Sequence, residues 1–140
     1  MDFEIEPKVG IAGLSLGAAK ATVRQFFKTE PRVFQRTPTD NPADHWADSG
    51  AFAYYDGEGN LEAVEFASPA SAKLDGKALT SMSMEKATAF LQSLDQDLSV
   101  TEGGKSVHSS RLGVAIWCPT LDESDANVES VLVCGDGYFD

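Results

Sequence analysis

Apolar residues fall at helical spacing in two places along the chain, and each helical stretch is followed by strand-like stretches. After Gly13-Leu14-Ser15-Leu16-Gly17, the spacing of Val23, Phe26 and Phe27, with Leu16 just ahead, predicts a helix from Ala18 to about Lys28. Gly17 suits its N-cap, and Pro31 blocks its extension. Sheet pattern follows, with a weak strand from Val33 to Arg36 and firmer strands from Ala51 to Tyr55 and from Leu61 to Ala67. The firm pair flanks Asp56-Gly57-Glu58-Gly59-Asn60, whose glycines suit a hairpin turn. The order then returns. Leu79-Thr80-Ser81-Met82-Ser83 leads into a helix from Met84 to about Leu94, capped by Ser83, with Ala87, Phe90, Leu91 and Leu94 on one face. Leu98 to Thr101 is the weak strand of this half, and Leu112 to Trp117 with Asn127 to Cys134 the firm pair. Ser68 to Lys77, with Pro69, Gly76 and several small residues, reads as a linker.

Residue identities follow the same rhythm. Lys20-Ala21-Thr22 recurs 66 residues later as Lys86-Ala87-Thr88, and Asn60 to Phe66 is echoed 67 residues later by Asn127 to Val133. His45 and His108, and Gly50 and Gly113, are each 63 apart. A helix with one apolar stripe needs a sheet to cover, and runs of strands favour antiparallel pairing. The expected fold is therefore α+β: one domain over residues 1–140, made of two tandem helix-plus-meander repeats (about 8–70 and 74–140). They would share one antiparallel sheet, with both helices packed on one face.

Charge narrows the partners. With 22 acidic against 11 basic residues, the net charge is −11, which repels nucleic acid and anionic membrane surfaces and suits a basic protein partner. The N-terminal Met1 to Pro7 has neither a basic start nor a long apolar run, so no signal peptide is read there. No stretch reaches the roughly 20 apolar residues of a membrane helix. A cytoplasmic protein is expected, with Cys118 and Cys134 as free thiols.

Catalytic constellations are sparse. His45 and His108 fall at equivalent places in separate units, and both cysteines lie near strand ends among apolar neighbours, where Cys behaves as a small hydrophobe. Asp56 to Asn60 lacks the Gly and Glu that a calcium loop needs at its sixth and twelfth positions, which here are Leu61 and Ala67. Gly10 to Gly17 lacks the lysine of a phosphate loop. Neither enzyme activity, metal nor cofactor is expected. Binding is the remaining class. Trp46, Tyr54, Tyr55, Trp117, Tyr138 and Phe139 are candidate anchors, with Trp117 expected in the core and Tyr54 and Tyr55 on opposite faces.

The glycine-led helix followed by a meander, seen in Gly13 to Phe27 with Ala51 to Phe66 and again in Met82 to Leu94 with Gly113 to Val133, resembles the tandem-repeat fold of the β-lactamase inhibitor proteins. It is also similar to small bacterial immunity proteins that neutralise toxins. The resemblance implies a non-enzymatic inhibitor that occludes a basic effector. The expected contact residues are Asp56, Glu58, Asp122, Glu123, Asp125, Asp136, Tyr138, Phe139 and Asp140. A small-molecule-binding or sensory domain, with a pocket between helices and sheet, is the alternative. Oligomeric state is left open.

Overall fold

Alternation of polar and apolar residues begins at the N-terminus: Asp2–Glu6 forms strand β1, with Phe3 and Ile5 buried and their neighbours exposed. A computed structural model of the protein describes residues 2–120 and 126–139. Two short strands, β2 (Gly10–Ile11) and β3 (Leu14–Ser15), form a hairpin on β1. Helix α1 (Lys20–Phe27) buries Val23 and Phe27. It is shorter than its apolar spacing suggests, and its N-cap is Ala19, without a side-chain cap, rather than Gly17. Gly17 instead donates its N–H to the Leu61 carbonyl, so the chain is still docking on the sheet at that point.

Four antiparallel strands follow: β4 (Arg32–Phe34), β5 (Ala43–Trp46), β6 (Ala51–Tyr55) and β7 (Leu61–Ala67). Next come β8 (Ser71–Leu74), β9 (Lys77–Ala78) and a short 3-10 turn, Leu79–Ser81. Helix α2 (Met84–Leu94) starts at Ser83, whose hydroxyl accepts the Lys86 N–H, a cap worth about 1 kcal/mol. Four more strands complete the order: β10 (Ser99–Thr101), β11 (Ser106–Ser109), β12 (Val114–Trp117) and β13 (Ser130–Cys134).

The protein is α+β and mostly sheet, with two sheets where one was expected. The larger has eight strands in the order β10-β11-β12-β13-β7-β6-β5-β4, all antiparallel. The smaller has five, β3-β2-β1-β8-β9, and joins β1 to β8 in parallel. Its origin explains the error over residues 68–77. That segment is no linker: Ala70, Ala72 and Leu74 alternate inward, but two alanines carry too little hydrophobicity to stand out as a strand.

The main core cluster draws side chains from the large sheet, both helices and the small sheet. Phe66 at its centre is fully buried, stacks on Phe3 (ring centroids 4.6 Å apart), and belongs to the same cluster as Val23, Phe27, Leu79, Met84, Ala87 and Leu91. Phe27 in turn stacks on Trp46 at 4.2 Å. Burying such a side chain stabilises the fold by about 1.5–3 kcal/mol. A carboxylate is tied into the same layer. Asp44, 1% exposed on β5, accepts a two-pronged contact from Arg24 of α1 (2.9 and 2.8 Å) and the Tyr55 hydroxyl (2.7 Å). Asp95, at the end of α2, accepts the Ser109 hydroxyl of β11 at 2.6 Å. No helix among the described residues is long and apolar enough to cross a membrane.

Candidate binding surface

Strand residues alternate between faces, so register decides which side chains share the face away from the core. Across all eight strands one such row reads Arg32, His45, Phe52, Glu65, Leu132, Ala115, His108, Ser99, each paired with the next. A neighbouring row places Trp117 beside Ser130 and Ser130 beside Ala67. On the other side, Phe34 pairs with Ala43, and Tyr54 with Ala63. A bulge follows Tyr54, where Tyr55 pairs with Leu61 and skips Glu62. The two adjacent tyrosines thereby enter different clusters: Tyr55 the main core, Tyr54 a smaller one with Ala43, Ala63 and Cys134.

The outer face is aromatic. His45 stacks on Phe52 at 4.1 Å, and Phe34 meets His45, Phe52 and Tyr54 edge-on. Arg36 lies over the Tyr54 ring, 3.9 Å from its centroid. Tyr54 donates its hydroxyl to Glu65, and burial together with that carboxylate pushes the phenol pKa up. Trp117 is 38% exposed, a correction to its expected place in the core. Its strand neighbours Ile116 and Cys118 are both fully buried, and alternation turns Trp117 outward.

The predicted contact residues scatter around this face. Asp56 and Glu58 lie in the turn between β6 and β7, where Asp56 accepts the N–H groups of Glu58 and Asn60 through one oxygen and so organises the turn. Asp136 is ion-paired with Lys8. Asp56, Asp136 and Tyr138 line one depression of about 260 Å³ together with Glu62, so three of the predicted residues do meet. Tyr138 is half-buried. Phe139 stacks on His108 at 4.1 Å, laying the C-terminal segment on the outer face. Asp122, Glu123, Asp125 and Asp140 lie outside the described residues. Sequence reasoning passed over Phe34, Phe52, Glu65 and Leu132 and weighed His45 and His108 only for catalysis, because their common face depends on register.

Cys118 and Cys134 are buried free thiols, and burial pushes the Cys134 pKa up to about 12. Cys134 lies 3.7 Å from the Gly113 carbonyl and Cys118 3.8 Å from the Thr120 hydroxyl. The ring partners of His45 are Phe34 and Phe52, and that of His108 is Phe139. Among the described residues, no three His, Cys, Asp or Glu side chains gather as a metal site. Compared with known protein families, curated proteins and solved structures, the chain matches none.

Proposed function

We propose that this is a non-enzymatic protein-binding protein, an inhibitor or toxin-immunity protein that holds a basic partner on the outer face of its eight-stranded sheet. The observation that carries the reading is the row from Arg32 to Ser99. It sets Phe52, Leu132 and two ring-stacked histidines across the middle of a broad sheet, with Trp117 exposed beside them. Aromatic side chains on a rigid sheet offer large contact area at low entropic cost. The acidic turn at Asp56 and Glu58 joins two strands of that sheet, Asp56 shares a depression with Asp136, and the net charge of −11 would speed encounter with a basic surface.

The finer architecture supports the same reading. In our view the helix-plus-meander units are a tandem repeat, related by a two-fold axis between Glu65 and Leu132. Outward from that pair the row gives Phe52 and Ala115, then His45 and His108, then Arg32 and Ser99. The helix N-caps Ala19 and Ser83 bridge to Asn60, directly before β7, and to Asn127, three residues before β13. Gly50 accepts the N–H of Ala67 and Gly113 that of Cys134, each at 2.8 Å. A doubled unit doubles the sheet, and with it the contact face.

The test is affinity capture from the native lysate at low and high salt, with the wild-type chain and Leu132→Glu side by side. Leu132→Glu places a charge at the centre of the outer face while leaving the core side unchanged. One stoichiometric basic partner, released by salt and lost with the variant, is the expected result. No partner at either salt, or a partner held equally by the variant, would refute the reading.

A further inference from the structure

Small residues sit between large ones where the two halves of the large sheet join. Ser130 and Ala67 lie side by side, with Trp117 on one flank, while Phe52 and Glu65 pair in the adjoining row. Neither small side chain fills the layer set by Trp117 and Phe52. A groove of about 890 Å³ opens there, lined also by Ser68, Pro69 and Ala70. Among the described residues, its charged lining groups are Glu65 and Glu129, and no Lys, Arg or His lines it. A second depression, reaching toward His108 and Phe139, shares Glu65, Trp117 and Ser130 with the groove, so the groove is continuous with the outer face.

Glu65 stands at the inner end, between Phe52 and Leu132. Its Oε1 accepts the Tyr54 hydroxyl, and among the described residues it makes no ion pair. Arg36, the cation over Tyr54, is within electrostatic reach of Glu65 but makes no ion pair with it, and it lines a separate depression with Asp40, Glu62 and Tyr138. A carboxylate placed among rings, with an exposed indole in the same groove and no cation lining it, has the complementarity of a guanidinium site.

We propose that this groove receives an arginine side chain projecting from the bound protein, its guanidinium stacked on Trp117 and its N–H fork on Glu65. The proposal rests on the protein-binding reading above. Arginine fits better than lysine because a planar guanidinium can stack on indole and meet a carboxylate edge-on at once, whereas an ammonium is a compact, strongly hydrated point charge. The continuity of the groove with the outer face, and the acidity of the whole chain, select a basic protein surface as the source.

The probe is N-acetyl-argininamide, titrated into the isotope-labelled full chain at low salt beside its neutral isostere N-acetyl-citrullinamide, and read by NMR. The Trp117 indole N–H and the amides of Glu65 and Ser130 should shift and saturate at millimolar probe. The arginine compound should bind about tenfold tighter than the citrulline one, and Glu65→Gln should weaken it about fivefold with the rest of the spectrum unchanged. Equal response to both probes, insensitivity to Glu65→Gln, or shifts confined to the turn at Asp56 and Asp136 would overturn the proposal. If the probes fail while Leu132→Glu still abolishes capture, the groove assignment falls alone and the protein-binding reading stands. Arginine-selective shifts without any captured partner would overturn a partner's arginine as the occupant.

Discussion

Replacing Gly50 or Gly113 with alanine probes the same close approach at two places. Both glycines have positive φ, +70° and +68°, where an L side chain costs roughly 1–2 kcal/mol. The steric cost is larger. A Cβ on Gly50 would lie 2.1 Å from the Ala67 carbonyl oxygen, and one on Gly113 would lie 2.1 Å from that of Cys134. Both oxygens are backbone atoms at the ends of β7 and β13, the central strands, so relief requires a strand end to move. The movement falls on the bonds Ala67 N–H to Gly50 carbonyl and Cys134 N–H to Gly113 carbonyl, both 2.8 Å. Losing one costs about 1 kcal/mol, and the forced shift of a packed strand roughly 1–3 kcal/mol. Each variant should therefore be destabilised by about 3–6 kcal/mol. Gly59→Ala is the control: φ is +82° and nothing lies within 4 Å of its Cβ, so it carries the backbone cost alone. Urea unfolding of the three variants, followed by tryptophan fluorescence and far-UV circular dichroism, gives the comparison. Gly50→Ala and Gly113→Ala should fall together, well below Gly59→Ala, with melting temperatures lowered by about 10 °C or more. If either unfolds within about 1 kcal/mol of the control, the close approach is not tight enough to matter and the reasoning fails.

The buried Asp44 contact gives a second test. Arg24→Ala strands a carboxylate that is 1% exposed, and since the Arg24 side chain is itself 38% exposed the expected loss is about 2–3 kcal/mol, below that of a fully buried pair. Tyr55→Phe removes one of the three bonds to Asp44 and should cost about 1 kcal/mol in the same chemical unfolding measurement. Acid dependence follows from sign. Burial alone would raise the Asp44 pKa, but the Arg24 and Tyr55 hydrogen bonds overcome it and hold the carboxyl below its ordinary value. That stabilisation is full above the unfolded pKa of about 4 and is lost as pH falls through the lower folded value. The stability gap between wild type and Arg24→Ala should thus be widest near neutrality and narrow below about pH 4; a gap that widens in acid would contradict the assignment. Thiol titration with an aromatic disulfide at pH 8 should find Cys118 and Cys134 unreactive until the chain is unfolded, and prompt labelling of the native protein would show that one is accessible.

Parts of this fold were legible because local signals agreed. Helix α2 has an apolar stripe and a capping serine, and it runs from Met84 to Leu94 as its spacing predicts. Strands β6 and β7 were bounded by a glycine-rich turn, and their limits match the reading. Strands β5 and β11 were missed because each is four residues long and mixes polar groups into both faces: Asp44 and Ser109 are buried and take partners from other elements, Arg24 and Tyr55 for Asp44 and Asp95 for Ser109. The small sheet escaped for a different reason. Residues 2–6 alternate cleanly, yet their partner strand lies near residue 72 and parallel, a pairing that no local turn announces. For the candidate surface, residue type was visible but grouping was not. Tyr138, Phe139 and the acidic turn stood out singly, while Phe52, Glu65, Leu132 and His108 became one surface only through four successive registers. Trp117 was readable from alternation alone, since both its neighbours are buried and it is not.

The seam between β7 and β13 also sets an order of assembly. Val64 pairs with Val133 and Phe66 with Val131, so the two middle strands of the sheet come from distant parts of the chain. Until residues 130–134 dock, β7 is a bare edge with apolar Val64 and Phe66 on one side and open backbone hydrogen-bonding groups along it. Loop closure across that span must precede the contacts that reward it, which slows the last step and leaves a sticky intermediate. The hazard during folding thus falls at the middle of the finished sheet, on a strand that is no edge once folding is complete. A second chain caught at that moment can supply its own residues 130–134 to the waiting edge, so crowded refolding should yield exchanged dimers that dilution during refolding prevents.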